Sequence, residues 1–330
     1  MKQLFYLYES GVLQRKDNSL VLNTKSKSTH YLPIEQISMI MCFADVTLNK
    51  RVLSLLNKYE VPIVFFNYYG NCIGRFIPKK NMYGKVIVEQ VTFYNDIDKR
   101  LYVAKAFTKG YIKNMISLAN YYQKKNKVSN DKIDIMRQFV YEVKDCSTID
   151  QLLLLEAKCK QVYYSLFDDI LGNTTFKFVS RTKHPPKNEV NAMMSYGYSL
   201  LYELVLTEIE KTSLLSQISF IHSISKSTES LQYDIADIFK PMIVDRLMLR
   251  LIRKRQITLE HFEYKDNGTC FLNKEGLKVF SVAFDNQLKK VITHNKRHLS
   301  YRSLIRAEVY NLKKFITSAS KNYKTIVMKW

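Results

Sequence analysis

The chain of 330 residues is predicted to be an α+β protein. The expected layout is a β-rich N-terminal domain over residues 1–78, a short linker over 79–84 and a larger helical domain over 85–330. Three observations lead there. The length exceeds what one compact core usually organises, so two domains are expected. Before Pro78, short aromatic and β-branched runs alternate with turn residues; after it, Leu, Ile, Met, Tyr and Phe recur at helical spacing. Only nine Gly and six Pro interrupt the chain, which favours long helices over flexible connections.

The β-rich part opens with Leu4-Phe5-Tyr6-Leu7-Tyr8, which does not alternate cleanly and so reads as a strand buried on both faces; Glu9-Ser10-Gly11 turns it. Ser19 to Asn23 pairs back after the Lys16-Asp17-Asn18 turn, and Tyr31-Leu32-Pro33 and Ile37 to Met41 continue the pattern. Leu48, Val52, Leu55, Leu56 and Tyr59 then recur at helical spacing, with Thr47 as the expected N-cap. Val61 to Phe66 is a buried-strand candidate, and Tyr69-Gly70-Asn71 turns into Cys72 to Phe76. Residues 124–131 and 263–275 read as surface loops in the helical part.

The charge says more about partners than about fold. The net charge is +21, and residues 1–78 hold nine Lys/Arg against five Asp/Glu, so +4 falls there and +17 on the helical part. Such an excess suits a polyanion, either nucleic acid or an acidic membrane. The longest apolar runs are far too short to span a bilayer, and the N-terminus reads straight into a strand rather than a signal peptide, so nucleic acid is favoured and a cytoplasmic location expected. Five cysteines without a CxxC pair argue for reduced core thiols rather than disulfides or structural zinc.

Four segments carry candidate chemistry. In Leu152 to Cys159, a helix puts Leu152, Glu156, Cys159, Tyr163 and Leu166 on one face. A carboxylate on an apolar stripe is costly unless it is paired or bound to a metal; the plainer reading is a helix-edge glutamate that reaches water or meets Lys160. In Leu231 to Pro241, Asp234 and Asp237 share a helix face at i, i+3. Two like charges that close want a cation, and carboxylate oxygens suit Mg²⁺ or Mn²⁺; alternatively both are exposed, or one caps the helix start. His222 lies in the apolar run Ile218 to Ile224, where a satisfied core histidine is the plainer reading. Pro185-Pro186-Lys187-Asn188 marks a helix start, followed by Asn191 and Tyr198, which either position a phosphate or serve capping and packing. One histidine with two or three carboxylates fits Mn²⁺ or Mg²⁺ better than zinc. The GxxxxGK[ST], GxGxxG and GxSxG patterns are all missing, which disfavours NTPases, dinucleotide enzymes and α/β-hydrolases.

In their order and spacing these segments resemble the Cas-one family, the integrase of CRISPR spacer acquisition, over nearly the whole chain. Tyr8 to Leu13, Tyr31 to Ile37 and Val61 to Gly74 resemble its N-terminal domain, and Tyr301 to Arg306 its last helix. Leu155-Glu156-Ala157 matches its first metal ligand, His222 and Asp234 the other two, and Asp237 a supporting acidic position. Asn188 stands where Asp is common, and Lys240 where Arg is common, keeping the charge but losing the bidentate fork. The resemblance implies a β-sandwich-like N-terminal domain, a helical catalytic domain, a homodimer formed largely through the N-terminal domains, and assembly with the small Cas-two protein around a DNA fragment.

The expected activity is that of a metal-dependent DNA integrase and endonuclease acting on double-stranded and branched DNA. Glu156, His222 and Asp234 would hold one Mg²⁺ or Mn²⁺, with Asp237 in support, and a 3′-hydroxyl or water would attack the phosphodiester. Arg246, Arg250, Arg253, Lys254 and Arg255 are candidates for DNA-backbone contacts, with a solvated helix face as the equal reading for any one of them. Two alternatives stand beside this: a non-catalytic DNA-binding scaffold of the same fold, and an RNA-binding protein that stacks bases on its 23 Tyr and 18 Phe.

Overall fold

The structure, a computed structural model, describes residues 2–183, 185–224, 229–318 and 320–328. Two compact units emerge: Met1–Asn81 with Lys274–Asp285, and Met82–Asn273 with Asn286–Trp330. The return of residues 274–285 to the first unit departs from the expected single stretch 85–330. Its physical reason is local. Tyr8, directly after the first strand, donates its hydroxyl hydrogen to Ser281 Oγ at 2.6 Å, which ties a helix distant in sequence to the first unit.

In the first unit, β1 (Gln3–Leu7), β2 (Gly11–Lys16), β3 (Ser19–Thr24), β4 (Thr29–Leu32), β5 (Ile37–Cys42), β6 (Val46–Thr47), α1 (Lys50–Lys58), β7 (Ile63–Phe66) and β8 (Cys72–Phe76) form two four-stranded sheets. Their orders are β1-β5-β7-β8 and β4-β3-β2-β6. β1, β5 and β7 run parallel, and β8 closes antiparallel. The β2–β3 hairpin turns at Asp17, whose φ of 53° a short polar side chain tolerates. Gly11 is obligatory: a Cβ there would stand 2.2 Å from the Asn23 carbonyl oxygen. Leu13, Leu20, Leu32, Ile34, Ile40 and Leu56 fill the shared core. The α1 N-cap is Asn49, whose Oδ1 accepts from Arg51 N and Val52 N at 3.0 and 3.2 Å; the expected cap, Thr47, lies in β6 instead.

The second unit is built on α2 (Gly84–Asn95), α3 (Ile97–Gln123), α4 (Asn130–Glu142), α5 (Ile149–Tyr164), α6 (Leu166–Leu171), α7 (Glu189–Glu210), α8 (Leu231–Lys240) and α9 (Arg246–Arg253). β9 (Phe262–Tyr264), β10 (Cys270–Leu272), β11 (Val291–His294), β12 (Arg297–Ser300) and α11 (Tyr301–Ile316) follow; between β10 and β11 runs α10 (Lys274–Lys289), whose residues 274–285 belong to the first unit. The region is helical as expected, with two short ribbons set into it, β9–β10 and β11–β12. The second ribbon is closed by Asn295 and Lys296, both at positive φ (48° and 65°), the conformation that matches the strand twist in a two-residue hairpin. Residues 263–275 therefore hold a ribbon rather than a plain loop.

Two helices fix the interior. On α7, one continuous buried face runs from Val190 to Ile209. α8 is buried almost throughout, its two aspartates included. Pro241 follows it and lacks the N–H that would bond the Asp237 carbonyl, so the chain passes through a π-helical turn, Pro241–Asp245, before α9. After α11, residues 320–328 return across α3. Asn114 Nδ2 donates to the carbonyls of Ile238 on α8 and Ile326 in this tail, both at 2.9 Å, and Asn114 Oδ1 accepts from Met328 N at 2.8 Å.

Candidate active site

Glu156 on α5, His222 before α8, and Asp234 and Asp237 on α8 come together in the second unit, although 81 positions separate the first from the last. Glu156 is buried on the apolar face of α5 and pairs with Lys160 one turn on. Lys160 Nζ also lies 3.7 Å from Asp237 Oδ2, so one ammonium serves carboxylates from two helices. A second ammonium, Lys240 Nζ, bonds Asp237 Oδ1. It lies over the rings of Tyr198 and Tyr202, at 4.7 and 4.9 Å from their centroids. Against the cost of burial, Lys240, Lys160 and His222 hold Asp237 well below the usual carboxylate range.

Asp234 plays a different part. Its Oδ2 accepts from Phe220 N at 2.6 Å and Ile221 N at 3.1 Å; its Oδ1 accepts from His222 N at 3.1 Å and meets His222 Nδ1 at 2.6 Å. A carboxylate offers about four lone-pair sites, and all are taken. In this arrangement Asp234 fixes the 220–222 segment and the imidazole, and Asp237 faces the cations. Burial works against charging His222, but the Asp234 hydrogen bond and charge raise its pKa above the ordinary value. With Nδ1 tied to Asp234, Nε2 of the neutral ring is the nitrogen left with a free lone pair.

Asn191 and Tyr198 do not present polar atoms for DNA. Asn191 is fully buried: Nδ2 donates to Ser180 O at 2.7 Å, and Oδ1 accepts from Arg181 Nη1 and Thr182 N at 2.9 and 3.1 Å. It locks the loop that carries Arg181 and Lys183. Tyr198 OH donates to Asp245 Oδ1 at 2.7 Å and Tyr163 OH to Oδ2 at 2.8 Å; burial pushes Asp245 up to about 6. Asn191 and Tyr198 are thus positioning groups beneath the site, the capping-and-packing reading of that segment.

The sequence reading named Lys160 only as a neighbour of Glu156 and missed Arg181 and Lys183. Burial, then Lys160, Lys240 and Arg181, depress the Lys183 ammonium, which sets these four cations within electrostatic reach of one another and of Asp237. Only Lys160 had a sequence signal, its i, i+4 spacing from Glu156.

Arg246, Arg250 and Arg253 form a separate basic surface on α9. The Arg246 guanidinium lies 4.7 Å from the Tyr121 ring centroid, and that of Arg253 lies 5.6 Å from the Tyr122 ring centroid. Burial first and then Arg246 lower Arg250; burial and then Arg250, Arg246 and Lys254 lower Lys290. Like charges this close suit a polyanion.

Among the described residues, no three His, Cys, Asp or Glu side chains stand in a ready metal-binding arrangement. Ammonium groups contact Glu156 and Asp237, and Asp234 is hydrogen-bonded to the 220–222 segment. The donor chemistry nevertheless fits a hard divalent cation. Two buried carboxylates already share one cationic group, and an oriented imidazole is coupled to both by charge. No helix among the described residues is long and apolar enough to cross a membrane.

Comparison with known proteins identifies the family and the fold. The family profile for CRISPR associated protein Cas1 matches residues 5–286. A CRISPR-associated endonuclease Cas1 from Thermodesulfovibrio yellowstonii is 38% identical over the full length of both chains. The solved structure of a CAS1 protein from Thermotoga maritima superposes with a TM-score of 0.87 at 33% identity, covering 98% of this chain and all of that one. A casposase bound to its integration product shares the fold, with a TM-score of 0.88 at 20% identity over 98% of this chain and 93% of that one. The chain belongs to the CRISPR-associated Cas1 family.

Proposed function

We propose that this protein is the integrase and endonuclease of CRISPR spacer acquisition, and that Glu156, His222 and Asp237 hold a divalent metal, Mg²⁺ or Mn²⁺. The observation that carries the reading is the buried Glu156–Asp237 pair sharing one cationic group beside a histidine oriented by Asp234. A bound divalent metal would supply Lewis-acid polarisation of the scissile phosphate. The rest is the work of the chain's own groups. Asp234 keeps the proton of His222 on Nδ1, so that Nε2 remains a donor of electrons. Lys240, confined between Tyr198 and Tyr202, keeps Asp237 ionised. Arg181, Lys183 and Lys160 offer positive charge to the phosphate oxygens as charge builds on them. The attacking group is a DNA 3′-hydroxyl in strand transfer, or water in cleavage.

The α9 cluster of Arg246, Arg250 and Arg253 contacts the DNA backbone in this reading. Double-stranded and branched DNA are the substrates. The protein works in the cytoplasm as a homodimer, joined through the N-terminal unit and assembled with Cas-two. A non-catalytic scaffold would have no use for buried carboxylates held ionised by two lysines. The RNA-stacking alternative would have to rely on surface tyrosines such as Tyr31, Tyr68 and Tyr141, because Tyr111, Tyr163, Tyr301, Phe107 and Phe167 are fully buried.

The test is strand transfer with Mn²⁺ by Glu156→Ala, His222→Ala and Asp237→Ala, each checked for folding by circular dichroism. Loss of activity in all three is expected. Wild-type rates in folded variants would overturn the assignment.

A further inference from the structure

In the absence of DNA the metal-site reading leaves the contact of Lys160 with the proposed ligands unexplained. It sits one helical turn after Glu156, contacts that carboxylate, and reaches toward Asp237 at 3.7 Å. The Tyr111 ring lies 5.2 Å from Nζ. We propose that Lys160 is a built-in counter-ion that competes with the divalent metal for Glu156 and Asp237, and so sets how tightly this chain binds metal. The inference rests on the ligand assignment of Glu156, His222 and Asp237.

Charge balance carries the argument. Among the groups in direct contact, Glu156 and Asp237 bring two negative charges and Lys160 and Lys240 two positive ones, and Lys183 and Arg181 add further positive charge nearby. A buried carboxylate left unpaired is strongly unfavourable, so without metal some cation must remain. Adding a divalent ion while both lysines stay would leave two uncompensated positive charges in a buried site. Release of one lysine reduces this to a single charge, which one phosphodiester of bound DNA neutralises.

The surroundings decide which lysine leaves. The Lys240 side chain is 11% exposed and held against two tyrosine rings. The Lys160 side chain is 27% exposed, on a flexible four-carbon stem with a route to water. Lys160 therefore stabilises the metal-free fold, weakens metal binding in the absence of DNA, and is freed toward phosphate when metal and DNA arrive together.

The experiment is calorimetric titration of the full chain with Mn²⁺ in the absence of DNA, paired with thermal melting without metal, for wild type, Lys160→Met, Lys160→Arg and Glu156→Gln. Lys160→Met is expected to bind Mn²⁺ about tenfold tighter or better. Its metal-free melting temperature is expected to fall, and Mn²⁺ to restore it. Lys160→Arg keeps the charge and stays near wild type. If Lys160→Met does not fold without metal, Lys160→Gln replaces it under the same criteria. Equal Mn²⁺ affinity in wild type and in the neutral variant overturns the inference, as does an absence of binding in both. Glu156→Gln separates the two ideas. Unchanged binding there refutes the ligand assignment, whereas lost binding there with no effect of Lys160→Met refutes the counter-ion alone.

Discussion

Glu308 on α11 is fully buried, and its carboxyl anchors the C-terminal tail: Tyr323 OH donates to Oε1, and Ile326 N donates to Oε2 at 2.7 Å. Burial pushes it up to about 7, against these two hydrogen bonds. The raised value favours the neutral acid in the folded state. Between the unfolded value, 4.5, and the folded one, the native protein binds a proton that the unfolded chain has lost, so stability falls as pH rises. The full penalty is roughly 3.4 kcal/mol, with about 2.5 kcal/mol of it falling between about pH 5 and pH 8. Glu308→Gln removes the titration. Its amide can keep both contacts, because the Tyr323 hydroxyl accepts as well as donates and the Gln oxygen can face Ile326 N. Urea unfolding of wild type and Glu308→Gln at those two pH values measures the difference. Wild type should lose about 2.5 kcal/mol more than the variant across the interval, and the variant should be the more stable of the two at the upper pH. Equal losses would refute the assignment of the penalty to this carboxyl.

Asp234→Asn frees the His222 ring, and Mn²⁺ affinity and strand transfer should drop roughly ten- to hundredfold, while Asp237→Asn should abolish measurable metal binding; calorimetry distinguishes the orienting from the ligating aspartate. Asn191→Ala strips Ser180, Arg181 and Thr182 of their partner and should cost about 2–3 kcal/mol in urea unfolding. Arg250→Ala should lower the slope of log K against log salt for duplex DNA by about one unit, without changing sequence preference; an unaltered slope places the backbone contact elsewhere.

Much of this architecture was legible in the sequence, because periodicity is a local property. The strand runs before Pro78 and the helical spacing after it appear as β1–β8 and the helices from α2 onward. The failures were of two physical kinds. Thr47 and Asn49 are both good caps, and only the pairing of Val46 and Thr47 with β2 decides between them. Residues 274–285 fall within the stretch assigned to the helical domain, and nothing local announces that Ser281 meets Tyr8, some 270 positions away.

The site divides along the same line. Spacing alone puts Asp234 and Asp237 on one face of α8, and both are buried. Which of them is available to a cation is not a property of α8 at all. It depends on the backbone of residues 220–222, whose three N–H groups and one imidazole converge on Asp234. A buried segment end without regular structure must find acceptors for its N–H groups, and the first carboxylate of the adjacent helix meets that need. Once Asp234 is consumed in this way, Asp237 one turn later is the carboxylate whose charge remains to be balanced. Lys160 and Lys240 balance it. The division of roles between two aspartates three residues apart is thus set by backbone hydrogen bonding in a different segment, and a helical wheel cannot display it.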